Sequence, residues 1–201
     1  MSRITSFEIL APRSNAEQLV QSVIEHLVEE DKAKLWLALE TGPEPVMQGI
    51  ECEEGENDSS VCMSFLFSPD EGVKAFEDEC GLPRDPATGR VEVGYIFSSL
   101  SFGSHYVQFQ AASLVDCISE VFLFSPSVRG SFIEMAKQVS GAVLVFCDEL
   151  SDDRVLWCSQ EALTYARKLP ADADTNRVDV RSLEMLNTIR FAGNQIESPS
   201  Q

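Results

Sequence analysis

An α+β fold is predicted, with a mixed or mainly antiparallel sheet and helices packed on it. Three observations carry this expectation. Short apolar segments alternate with period two and come in pairs joined by polar turns, the pattern of antiparallel strands. Between them, apolar residues recur at helical spacing behind proline or Ser-Pro starts. The chain of 201 residues is 44% hydrophobic and 24% charged, a balance that supports a packed core and argues against disorder.

Residues 7–10 read as a short strand. Residues 12–15 then open a helix whose apolar positions 16, 19, 20, 23, 24, 27 and 28 form one stripe, with Glu17, Glu25, Glu29, Glu30 and Asp31 behind it. Residues 34–41, with Leu35-Trp36-Leu37-Ala38-Leu39, are expected as a strand stopped by Gly42-Pro43. Residues 45–52 and 60–67 are expected as a hairpin around a polar loop. Ser68-Pro69 should start a short helix that Gly81 and Pro83 end.

Residues 91–102 and 106–111 form a second predicted antiparallel pair, turning near Gly103. Val91, Val93, Tyr95 and Phe97 alternate, whereas Leu100 and Phe102 have the other parity, which predicts a bulge or break near Ser98-Ser99. Residues 113–123 fit either helix or strand. Ser125-Pro126 should begin a helix to Gln138 that closes at Gly141, followed by an interior strand over 142–147. Another strand is expected at 155–158 and helices at 161–168 and 180–191, separated by a polar stretch. The expected organisation is one domain over residues 1–192, with a weak subdivision near 84–90, and a disordered tail over 193–201.

Phe65-Leu66-Phe67-Ser68-Pro69 recurs as Phe122-Leu123-Phe124-Ser125-Pro126, and Ile9-Leu10-Ala11-Pro12 is a looser copy. Prolines 12, 69 and 126 are thus evenly spaced, and strand-Pro-helix-strand units repeated three times would explain it. Coincidence is the competing explanation, because Ser-Pro is a common helix start.

The formal net charge is −18, and residues 1–80 hold 18 acidic against 5 basic residues. Such a surface repels phosphate backbones and anionic lipid, so neither nucleic acid nor membrane is expected as a partner. No apolar run approaches a membrane span and no hydrophobic signal core opens the sequence. The six cysteines contain no C-x-x-C and several lie in apolar runs, which favours free thiols in a reducing, cytoplasmic compartment over disulfides or zinc.

No phosphate loop, dinucleotide fingerprint, zinc-protease or nucleophile-elbow motif is present, and no cofactor or metal is expected. His26 is expected on the solvated face of the first helix. His105, in Phe102-Gly103-Ser104-His105-Tyr106, is the one weak catalytic candidate, with Asp116 and Cys117 as partners if the fold brings them near. Ser104 and His105, being adjacent, would point to opposite faces of a strand.

The acidic run Glu51, Glu53, Glu54, Glu56 and Asp58 lacks the register of a calcium loop. With Asp148, Glu149, Asp152 and Asp153, expected as a second acidic loop, and with Trp36 and Trp157, it makes a candidate surface for a basic protein partner. The expectation is a non-catalytic interaction module, of which an immunity-type inhibitor of a basic toxin or enzyme is one form. An enzyme or ligand-binding protein built around His105, or an assembly subunit, are the rivals. Solubility alone would also account for the charge.

Overall fold

The computed structural model describes residues 4–41, 61–102, 106–113 and 115–162. Its strands are β1 (Thr5–Pro12), β2 (Val61–Phe67), β3 (Val91–Phe102), β4 (Tyr106–Ser113), β5 (Val143–Asp148) and β6 (Ser151–Cys158). Its helices are α1 (Ala16–Ile24), α2 (Glu29–Thr41), α3 (Glu71–Cys80), α4 (Asp116–Phe124) and α5 (Pro126–Lys137), with a 3-10 turn at Arg13–Asn15 before α1. The strands form one sheet in the order β2-β3-β4-β1-β5-β6, and every neighbouring pair is antiparallel. The chain is therefore α+β, as its periodicity predicts. Strands β2 and β3, on either side of residues 84–90, pair directly.

Period-two side chains put one face of the sheet into the core. Phe7 lies opposite Ala111 on β4 and Phe146 on β5, and Ile9 lies opposite Phe109 and Leu144. The apolar stripes of α1, α3, α4 and α5 close over this face in a single cluster. Phenylalanines dominate its centre: Phe7 stacks on Phe132 with ring centroids 4.2 Å apart, and Phe65, Phe67 and Phe122 surround Phe132. Each such ring removes on the order of 150–250 Å² from water, which makes each of them a large contributor to burial energy. On the opposite face, Leu10, Tyr106, Val143, Val145 and Ala162 form a smaller cluster. Beside it Glu8 accepts hydrogen bonds from Gln108 and Gln110, at 3.0 and 2.9 Å.

Four local expectations need correction. Residues 34–41 are helical, not a strand, because they continue α2. Its Glu, Lys, Ala and Leu residues are strong helix formers without a β-branched run, and burial follows helical spacing, with Leu35 inside and Leu37 exposed. A continuous apolar run of five has no period to separate the two states. The α3 helix begins after Ser68-Pro69, at Glu71, and Asp70 is its cap, accepting from Val73 N–H at 2.9 Å. By contrast Ser125 caps α5 as expected, with Pro126 in the first turn.

The third correction is the bulge, which falls at Gly94-Tyr95 instead of Ser98-Ser99. Met63 pairs with Ile96 and Phe65 with Val93, so Ser64 faces two residues of β3. Parity flips there: Val91 and Val93 are buried before it, and Ile96, Ser98 and Leu100 after it. Tyr95, counted as part of the inward alternation, is instead 76% exposed, with a left-handed φ of 57°.

The fourth concerns the matched pentapeptides. Phe65–Phe67 ends a strand, whereas Phe122–Phe124 ends α4. Their flanks decide: Met63, Phe65 and Phe67 are buried at period two, and Ile118, Val121 and Phe122 at helical spacing. A strand precedes Pro69 but a helix precedes Pro126, so the predicted unit is not reproduced at the third copy.

The expected strand 45–52, the turn at Gly103, the helix 180–191 and the tail 193–201 lie outside the described residues. Of the helix expected at 161–168, only its start is described, Gln160 to Ala162, capped by Ser159 Oγ accepting from Ala162 N–H at 3.1 Å.

Candidate functional site

The edge of the sheet is where the fold makes a recess. After α1 ends at Ile24, the chain passes alongside β2: Leu66 N–H donates to His26 C=O at 2.7 Å, Val28 N–H donates to Ser64 C=O at 3.2 Å, and Leu27 pairs with Phe65. The outer hydrogen-bonding groups of β2 are thus occupied by the chain itself, which protects an edge otherwise open to pairing. Asp31, in the first turn of α2, completes the seal. Its buried carboxylate accepts from Ser64 N–H at 2.7 Å and from Lys34 Nζ at 2.5 Å.

At this point the start of α2, the bulged β2–β3 pair, the end of α3 and the start of α4 surround a cleft of about 610 Å³. Its apolar wall comes from Met63, Phe76, Leu82, Val115 and Ile118. Among the described residues its charged lining is Glu30, Asp31, Glu92 and Lys34, with Asp31 and Lys34 paired to each other. Tyr95 lines it while remaining largely exposed. A left-handed tyrosine costs about 1–3 kcal/mol relative to an unstrained backbone, and such strain concentrates at functional positions. Gly94 beside it is tightly placed, since a Cβ there would lie 3.3 Å from Ser64 Oγ. The arrangement offers apolar contact, an aromatic face and unbalanced negative charge, a combination suited to a cationic, partly apolar ligand.

The sequence-derived candidates are distributed differently. His105 and Ser104 lie outside the described residues, as do Glu51, Glu53, Glu54, Glu56 and Asp58. Tyr106 opens β4 and is buried in the smaller cluster, whereas Asp116 and Cys117 follow the far end of that strand. An eight-residue antiparallel strand spans about 25 Å, so Tyr106 does not converge with Asp116 and Cys117. Asp148, Glu149, Asp152 and Asp153 belong to a tight hairpin instead of a loop, with the aspartates at 152 and 153 inside β6. Asp148 is buried and accepts from Leu150 N–H at 3.3 Å, while Glu149 is exposed and binds the Ile4 backbone. Trp36 and Trp157 are half-buried against the main core.

His26 also departs from expectation. It is buried at 9% exposure, because α1 ends two residues before it and the chain turns inward onto β2. Burial pushes its imidazole below the ordinary value, Arg90 adds to this, and Glu25 and Glu134 oppose it. Among the described residues no group of three or more His, Cys, Asp or Glu side chains is placed to hold a metal ion, and no helix is long and apolar enough to cross a membrane.

The cleft residues Glu30, Glu92 and Tyr95 carried no motif. The one available signal was Gly94, a glycine inside a strand pattern, which marks a bulge. No protein-family model, curated protein or solved structure matches the chain.

Proposed function

We propose that this chain is a non-catalytic interaction module that binds a basic protein partner, and that a partner segment alternating Lys or Arg with apolar side chains docks in the cleft beside Tyr95. The observation that carries this reading is the pairing of an apolar wall with a charged lining that among the described residues is Glu30, Asp31, Glu92 and Lys34, on a chain of net charge −18. Charge complementarity would accelerate encounter and select the partner, while the apolar wall would supply area. Tyr95 would stack on a cationic head group. Neutralisation of a basic toxin or enzyme, as immunity-type inhibitors do, is the narrower form of the same proposal.

The test is amide chemical-shift mapping with a soluble peptide alternating Lys and Leu, against a Glu-Leu peptide of the same length. Shifts from the Lys-Leu peptide should concentrate at Glu30, Ser64, Glu92 and Tyr95 and shrink when salt rises to roughly 0.5 M. Glu30→Gln combined with Glu92→Gln should weaken that binding about three- to tenfold. Equal binding of the Glu-Leu peptide, or shifts spread over every acidic face, would overturn the proposal.

A further inference from the structure

Residues 25–28 cross the outer edge of β2 as a strap, with His26 inside it. The strap is held by Leu66 N–H donating to His26 C=O at 2.7 Å, by Val28 N–H donating to Ser64 C=O at 3.2 Å, and by the Leu27 side chain buried in the main core. Asp31 N–H donates back to Val28 C=O at 3.1 Å, which ties the start of α2 to the strap. Val28, Glu30, Asp31 and Lys34 line one side of the cleft. The position of that side therefore depends on the strap.

The His26 imidazole is buried with the strap, and its Nδ1 has no hydrogen-bond partner among the described residues. In the imidazolium both ring nitrogens carry hydrogen. Whichever nitrogen is protonated at first, the charged ring would bury an Nδ1–H with nothing to accept it, a state that costs far more than the neutral one. The charged groups around the ring do not reverse this. Burial, the largest effect, and Arg90 before β3 disfavour the imidazolium, while Glu25 in the strap and Glu134 on α5 favour it less strongly. Glu25 accepts from Gln138 at 3.3 Å and Glu134 is paired with Lys137 at 2.8 Å, so each carboxylate has another partner.

We propose that the strap is a proton-operated latch on the cleft: protonation of His26 is relieved by lifting residues 25–28 from β2, which loosens the α2 side of the cleft. Lifting hydrates the ring and breaks the strap's bonds to Ser64 and Leu66, while the bonds between β1, β4 and β5 stay in place. Burial of Leu27 opposes it, so the latch is shut at neutral pH. In the lifted form His26 has its ordinary value of 6.5 and in the shut form a lower one. Opening therefore grows as pH falls below that value, by up to roughly tenfold per pH unit, until the shut form is protonated too. The latch does not depend on what docks in the cleft; its effect on binding rests on the reading above. A ligand that needs the α2 side in place must, by reciprocity, hold the latch shut.

The experiment is native-state amide hydrogen exchange on the full chain, corrected for the intrinsic pH dependence of exchange. Val28 and Leu66 should exchange faster than Ile9 and Phe109 in the sheet interior, through an opening that sub-denaturing urea barely changes, as a local event does. Their protection should fall about five- to tenfold between about pH 7 and about pH 5.5, and this fall should vanish in His26→Gln, which cannot take a proton. The Lys-Leu peptide at about ten times its Kd should raise protection at both amides about tenfold. Protection that is independent of pH, an equal fall in His26→Gln, or exchange of both amides only together with Ile9 and Phe109 would each overturn the latch. A strap that answers to pH while the peptide leaves the cleft unshifted would uphold the latch and refute the docking proposal; a cleft that binds beside a strap indifferent to pH would do the reverse.

Discussion

The carboxylate of Asp70 joins the starts of two helices through Ser125. Asp70 accepts from Val73 N–H in α3 and from Ser125 Oγ at 2.7 Å, while Ser125 Oγ itself accepts from Val128 N–H in α5 at 3.1 Å. Ser127 N–H also donates to Asp70, at 2.8 Å, and Ser127 Oγ donates to Ser68 C=O at 2.6 Å. One ionised side chain therefore satisfies helix-start donors of both α3 and α5. The matched Ser-Pro segments meet at this point.

Replacing Asp70 by Ala should lower stability by about 2–3 kcal/mol, more than an ordinary cap, because three charge-assisted bonds are lost together. Asp70→Ser should recover part of this, since a hydroxyl can cap Val73 without reaching both serines of α5. Burial pushes the Asp70 carboxyl up, but the bonds from Val73, Ser127 and Ser125 outweigh it and hold the group below its ordinary value. Its folded value thus lies under the unfolded one, so its contribution is complete above the ordinary carboxylate range and fades as pH falls through the folded value. Urea denaturation from neutral to acidic pH should show a flatter acid limb in Asp70→Asn.

His26 gives a second pH dependence of the same sign by a different route. Its folded value is depressed below 6.5, chiefly by burial, so the unfolded chain binds the proton more readily. Stability should be full above that ordinary value and fall as pH drops towards the folded one. His26→Leu should remove this limb and leave the more acidic one due to Asp70 in place. Unfolding midpoints measured between about pH 7 and about pH 5 separate the two.

Tyr95 should show a trade between stability and binding. Tyr95→Gly relieves a positive φ at an exposed position and is expected to stabilise by up to about 1 kcal/mol or leave stability unchanged. Affinity for the Lys-Leu peptide should nevertheless fall, whereas Tyr95→Phe keeps both strain and ring and should bind as the unsubstituted chain does. Thermal unfolding and peptide titration of the same samples provide the check.

Two glycines distinguish backbone strain from collision. Gly81 ends α3 at φ 62° and has nothing near its missing Cβ, while Gly141 before β5 has φ 74° and a Cβ there would sit 2.9 Å from Pro12 Cγ. Gly81→Ala should cost about 1 kcal/mol from backbone conformation alone. Gly141→Ala should cost clearly more, about 2–3 kcal/mol, because the end of β1 must also move. Denaturant midpoints of the two variants measure the difference.

By itself the sequence determined the α+β class, the antiparallel pair β3–β4, the interior strand β5 and the Ser125-Pro126 start of α5. Each depends on local information: period-two or helical burial over several residues, or a capping side chain beside the proline it precedes. It misread residues 34–41 because five consecutive apolar side chains have no period. It misplaced the bulge because a parity change shows only that a flip occurred somewhere before Leu100, and only pairing with Met63 and Phe65 locates it at Gly94-Tyr95. The tertiary structure alone decided that His26 turns inward, that one pentapeptide is strand and its copy helix, and that Asp70 spans α3 and α5. The cleft was decided there too. Glu30, Cys80, Glu92 and Cys117 are far apart in the chain, and their chemistry arises from the sheet edge and helix ends that bring them together.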